Sequence, residues 1–158
     1  MSSFALPNES VWDYPRPPRL EEDRRLVVVR RGGLLIAETT RSIRVLETSH
    51  PPVFYIDPAD VATDMLAPAP SATFCEFKGR AVYWDLKGET PLSEVGWSYP
   101  DPQPGFERIA NWLAFYPSKL ECSVDGEAVL SQAGGFYGGW ITGEIVGPFK
   151  GGPGTWGW

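Results

Sequence analysis

The 158-residue chain is one domain's worth of protein, long enough to bury a real core. Apolar residues make up 42% and charged residues 22%, which excludes both a disordered chain and a membrane bundle. A formal net charge of -6 with no basic block excludes the phosphate-neutralising surface of a nucleic-acid binder.

Seventeen glycines and sixteen prolines break the chain too often for long helices. Residues 1–22 hold Pro7, Pro15, Pro17 and Pro18, which fix φ and remove donors, so an extended arm is expected. Trp12 and Tyr14 suggest that the arm packs on the domain; a lid or clamp near a site is the alternative. Residues 25–30 and 34–37 flank Gly32-Gly33 and read as a β-hairpin. Arg24, Arg25, Arg30 and Arg31 are expected to be its solvated ends. Residues 42–48 form the next strand, with Ile43, Val45 and Glu47 on one face and Arg44, Leu46 and Thr48 on the other. Pro51-Pro52 ends it, and residues 53–56 make a short aromatic strand. Asp57-Pro58 opens a turn, with one or two helical turns over 59–66.

Pro68-Ala69-Pro70 reads as a loop. Residues 73–77 and 80–86 read as strands joined near Lys78-Gly79. Residues 94–99 form another, with Val95, Trp97 and Tyr99 on one face, and Pro100, Pro102 and Pro104 stop it. A helical turn over 106–111 and strands over 112–116 and 121–124 follow. Asp125-Gly126 is the strongest turn dipeptide in the chain, and 127–130 returns from it. Residues 132–158 carry ten of the glycines together with Phe136, Tyr137, Trp140, Phe149, Trp156 and Trp158. A flexible linker lacks such rings, so this tail is expected to wrap the domain.

The expected fold class is mainly β: small antiparallel sheets, one or two short helices and an irregular Gly-rich tail. Its expected parts are a Pro-rich arm (1–22), a β domain (23–131) and the tail (132–158). No G-x-G-x-x-G follows a strand and no P-loop is present. A single histidine and two cysteines, Cys75 and Cys122, without a CxxC pair, argue against a zinc site. No metal is therefore expected, and no cofactor is identified. No apolar run approaches the roughly 18 residues of a membrane span, and no leader pattern is visible. A cytoplasmic protein without membrane association is expected, as a monomer or weak homodimer.

The densest chemical run is Arg44-Val45-Leu46-Glu47-Thr48-Ser49-His50. Glu47 falls on an apolar strand face, where a carboxylate must pair, accept hydrogen bonds or raise its pKa. His50 is the only side chain that titrates near neutrality by default. The two read as a base and its orienter, or else as a strand end in which His50 bonds to backbone. Cys75 is a second candidate catalytic group, activated only if a cation such as Lys78 or His50 lies near; the alternative is an inert thiol. Tyr55, Tyr83, Trp84, Trp97, Tyr99 and Tyr116 build either a core or an apolar pocket with polar handles.

The run from Arg41 to Pro52 resembles the signature of the domain-of-unknown-function family 427, which also carries a nucleotidyltransferase-like label. Further matches are Cys75-x-x-Lys78-Gly79-x-Ala81-x-Tyr83-Trp84, Trp97-Ser98-Tyr99-x-x-Pro102, Ile109-Ala110 to Ala114-Phe115-Tyr116, and Val124 to Glu127. The tail Gly134 to Trp140 with Val146 to Gly154 is similar to the family's long form. The resemblance implies a β-tent architecture, in which two small antiparallel sheets lean together. The chain departs from the family pattern at Glu76, where proline is usual, and at Asn111, where glycine is common. A carboxylate beside Cys75 disfavours its thiolate.

The resulting expectation is a small-molecule-binding domain, its ligand nucleotide-like or otherwise anionic. Tyr55, Tyr83, Trp97 and Tyr99 would line the pocket, with Arg44 and Lys78 as ligand-binding handles beside Glu47 and His50. The first alternative is an enzyme that uses His50 and Glu47 as an acid-base pair, assisted by Cys75 or Lys78. The second is a protein-interaction module built on the aromatic tail.

Overall fold

Fifteen short strands form along the chain in the computed structural model, which describes residues 7–133, 137–152, 154, 155 and 158. They are β1 (Glu9–Ser10), β2 (Arg19–Asp23), β3 (Val27–Arg31), β4 (Leu34–Thr39), β5 (Ser42–Leu46), β6 (Val53–Tyr55), β7 (Leu66–Cys75) and β8 (Gly79–Leu86). There follow β9 (Leu92–Ser98), β10 (Ala114–Phe115), β11 (Glu121–Val124), β12 (Glu127–Ala128), β13 (Leu130–Ser131), β14 (Trp140–Ile141) and β15 (Ile145–Val146). The protein is mainly β, with small sheets and no closed barrel among the described residues, as the turn spacing predicts.

Turn chemistry sets the hairpins. Gly32 at φ +59° lets β3 return as β4 with Arg31 opposite Leu34. Asp125 and Gly126, both at positive φ, close β11 onto β12 with Val124 opposite Glu127. These are the conformations that a two-residue hairpin loop needs. Asn111 sits at φ +65°, a region that asparagine tolerates better than other non-glycine residues.

Three main sheets result, in the orders β12-β11-β3-β4, β10-β9-β8-β7 and β2-β5-β6. Paired hydrogen bonds of 2.8 Å between Ile56 and Leu113 stitch the third sheet to the strand entering β10. One core lies between the first two sheets, around Val27, Val29, Phe54, Leu86, Phe115 and Trp140. A second gathers Ile43, Val45, Tyr55, Tyr83, Trp97 and Tyr99. Every residue of β5 is buried, because both of its faces are covered. Ile43 and Val45 face the aromatic core, while Leu46 packs with Val11, Tyr14 and Ile145. The arm supplies β1 and most of β2; β1 pairs in parallel with β15 of the tail, and β2 pairs antiparallel with β5.

The helical turns expected over 59–66 form as two single 3-10 turns, Pro58–Asp60 and Thr63–Met65, while other local expectations are corrected. Val61 between them is extended, buried and bridged to Ala37, so core burial overrides helix propensity there. Pro68 and Pro70 lie inside β7, an edge strand where missing donors cost no ladder bond, and the register shifts between Pro68 and Ala72. β7 ends at Cys75, so residues 76–78 are turn rather than strand. Arg25 is not a solvated end: it is buried and paired with Asp23 at 2.8 Å and with Glu144. The rings at Phe136 and Trp156 lie outside the described residues.

Candidate functional site

β5 and β6, the β7–β8 hairpin, β9 and the tail surround a cavity of about 310 Å³. Strand alternation builds its floor. Val45 on β5, Tyr55 on β6, Tyr83 on β8 and Trp97 on β9 all point into the same aromatic core and line the cavity. Trp97 Nε1 donates to Tyr55 Oη at 3.2 Å, and the two rings meet edge-on at 6.4 Å. Tyr99 lies 6.3 Å from Tyr55, and Tyr116 stands 4.7 Å from Trp97. Tyr83 Oη shares a 2.8 Å hydrogen bond with Thr73 Oγ1. Burial pushes the phenols of Tyr55, Tyr99 and Tyr116 above the ordinary tyrosine value, so they stay protonated and can donate.

The polar rim comes from loops. His50 follows Ser49, which is buried at φ +70° and held from two sides. Ser49 N–H donates to Val11 O of the arm at 3.0 Å, and Lys150 N–H of the tail donates to Ser49 O at 2.8 Å. His50 Nδ1 lies 2.8 Å from the Thr48 carbonyl. A carbonyl only accepts, so Nδ1 carries the proton and Nε2 of the neutral ring keeps its lone pair. Burial lowers the pKa of His50; Lys150 and Lys78 lower it further, against Glu47 and the Thr48 carbonyl. The imidazole is therefore neutral at pH 7.

Two ammonium groups line the same cavity. Lys78, in the β7–β8 turn, sits over the Tyr99 ring at 5.9 Å. Its carbonyl accepts from Gln103 N at 3.0 Å, and Gly79 beside it runs at φ +103° with only 3.3 Å between an added Cβ and Asp101 O. Glycine is required at that close approach, and it holds the Lys78 turn against the 101–103 loop. Lys150 sits over the Tyr137 ring at 5.4 Å, and Tyr137 meets His50 edge-on at 5.0 Å.

Eight of the nine residues expected from the sequence line this cavity: Glu47, His50, Tyr55, Cys75, Lys78, Tyr83, Trp97 and Tyr99. Arg44 does not. It projects from the opposite face of β5, where the arm buries it completely. Its guanidinium forks onto Glu9 with two 3.1 Å bonds, and Glu21 and Asp23 complete its shell. Alternation alone puts Arg44 across the strand from Val45, so it is a structural ion and not a ligand handle. Glu47 is past the end of β5 and pairs with Arg16 at 3.8 Å; the Thr48 carbonyl, not Glu47, orients the imidazole. Both thiols are free, and burial raises that of Cys122 to about 12, which makes it inert.

Tyr137 and Lys150 escaped the sequence reading as site residues. Both come from the irregular tail, where no period assigns a face. Among the described residues no group of three His, Cys, Asp or Glu side chains is arranged to hold a metal ion. No helix among them is long and apolar enough to cross a membrane.

A sequence model of the family described as "Domain of unknown function (DUF427)" matches residues 19–127. No curated protein matches the chain.

Proposed function

The chain belongs to the DUF427 family, and we propose that it is a small-molecule-binding domain whose ligand is planar and anionic. One observation carries this reading: a cavity walled by Tyr55, Tyr83, Trp97 and Tyr99 that also receives Lys78, Lys150 and a neutral His50. Rings supply a stacking surface, ammonium groups supply charge, and His50 Nε2 accepts a hydrogen bond from the ligand. About 310 Å³ is at the small end of ligand pockets, which favours a single-ring ligand over a full nucleotide. A cytoplasmic setting fits the two free thiols.

The test is a thermal-shift panel of aryl carboxylates, aryl phosphates and nucleotides against the wild type and Lys78→Met. A binder raises the wild-type melting temperature and raises that of the variant less. A panel that shifts neither protein overturns the reading.

An acid-base enzyme is the second reading, favoured by the Nδ1 bond to Thr48 that leaves Nε2 free as a base. It predicts turnover of a bound ligand, followed by NMR, that His50→Gln abolishes while binding persists. A wild type that binds a ligand without consuming it excludes that ligand as a substrate.

A further inference from the structure

We infer that the pocket selects planar ligands with two negative charges, and that Lys150 is the residue that reads the second charge. This rests on the anion-binding reading above and deepens it. The family match ends at residue 127, so Lys150 and Tyr137 are additions to the wall that the matched segment builds.

The tail holds Lys150 firmly. Its N–H donates to Ser49 O at 2.8 Å, and its carbonyl accepts from Gln132 Nε2 at 2.5 Å. Tail and pocket floor are also in direct contact. A Cβ on Gly138 would fall 2.4 Å from the Trp97 ring, so the tail backbone lies flat on that indole. Among the described residues Lys150 Nζ gives one hydrogen bond, to Trp158 O at 3.1 Å, while an ammonium group has three donors, and Lys150 lines the cavity.

The charges around the cavity then sort themselves. Glu47 and Glu76 also line the cavity; Glu47 lies 3.8 Å from Arg16, and Glu76 is exposed in the β7–β8 turn. Lys78 enters from that hairpin and Lys150 from the tail, so the two cations come from separate elements. His50 feels the field of both, and its neutral ring adds no third cation at pH 7. One anionic group satisfies Lys78 alone. A ring that carries two acidic groups, or a phosphate monoester dianion, engages both ammonium groups while it lies on the aromatic floor.

Isothermal titration with benzoate, isophthalate and phenyl phosphate tests this on the full chain. The wild type binds isophthalate or phenyl phosphate roughly tenfold more tightly than benzoate, the gain of one charge-assisted contact. Lys150→Met collapses that ratio towards one. Lys150→Gln, which can still donate to Trp158 O, collapses it equally, separating charge from any loosening of the tail. A ratio that survives in both variants overturns the role of Lys150. Equal wild-type affinity for benzoate and both dianions overturns the two-charge inference but leaves the anion pocket standing. Absence of binding by all three probes overturns the inference and the underlying reading together.

Discussion

β5 separates two charged regions that differ in one respect. Behind it, Arg44 is fully buried with Glu9, Glu21 and Asp23 around it, and next to them Arg25 joins Asp23 to Glu144. In front of it, Lys78, Lys150 and His50 share the wall of a cavity with Glu47 and Glu76. Buried charge that already has its counter-ions is committed to holding arm, strand and tail together. Charge at the rim of an aromatic cavity is held in position by backbone bonds and is still available to a ligand. Opposite sides of one strand therefore carry charge that is committed to the fold and, on the function proposed above, charge that meets a ligand.

The sharpest way to break this contrast is Arg44→Met. It removes the cation shared by Glu9, Glu21 and Asp23, the last of them 4% exposed and left with Arg25, and should cost about 3 kcal/mol in urea unfolding. The lower end of the usual range applies because Glu21 is 40% exposed. Lys78→Met should change unfolding by less than about 0.5 kcal/mol, since it removes no buried pair. Equal losses in the two variants would erase the distinction.

Gly138→Ala probes the join between the tail and the pocket. At φ +69°, with a methyl 2.4 Å from the Trp97 ring, it should cost about 2 kcal/mol and shift the protein's tryptophan emission.

Acid titration probes the ion cluster. Burial raises the pKa of Asp23, but hydrogen bonds and charge from Arg25 outweigh it and leave the pKa below the usual carboxylate value; for Glu144 burial is outweighed first by the Thr142 hydrogen bond, then by a backbone bond and Arg25. A depressed folded pKa gives stability that is complete above the unfolded value and lost as pH falls below about 4. The urea midpoint should therefore drop between pH 5 and pH 3, and drop less in Arg25→Met.

The smallest expected effect is that of Glu47→Gln. Its pair with Arg16 is long and partly exposed, so stability should change by only a few tenths of a kcal/mol, about the size typical of surface pairs. Because Glu47 raises the pKa of His50, its loss should lower the imidazole's NMR titration midpoint further. An unmoved midpoint would remove Glu47 from the site's electrostatics.

Most of the pocket was legible because strand alternation is a strict rule. Once residues 42–48, 53–56, 80–86 and 94–99 read as strands, Val45, Tyr55, Tyr83 and Trp97 had to fall on shared faces. The same rule put Arg44 on the other face, but parity does not say what covers that face. Its cover comes from Glu9 and Glu21, residues of an arm that carries prolines and no clear period. Lys150 and Tyr137 were illegible for the related reason that a Gly-rich segment has no face to assign. The turns over 59–66 are present but separated, because Val61 is drawn into a bridge with Ala37, a contact outside any local window.

The pairing of β1 with β15 also has a kinetic consequence. Trp12 Nε1 donates to Pro148 O across 136 residues of sequence, a chain closure among the most entropically demanding in the molecule. A chain emerging from the ribosome completes the β3–β4 and β7–β9 hairpins long before Ile145 exists to receive Glu9. Until then Leu46 lacks Ile145, and the cavity lacks Lys150. The cavity wall is thus completed only when the tail docks, so any ligand that needs Lys150, as proposed above, would recognise only the chain with its tail in place.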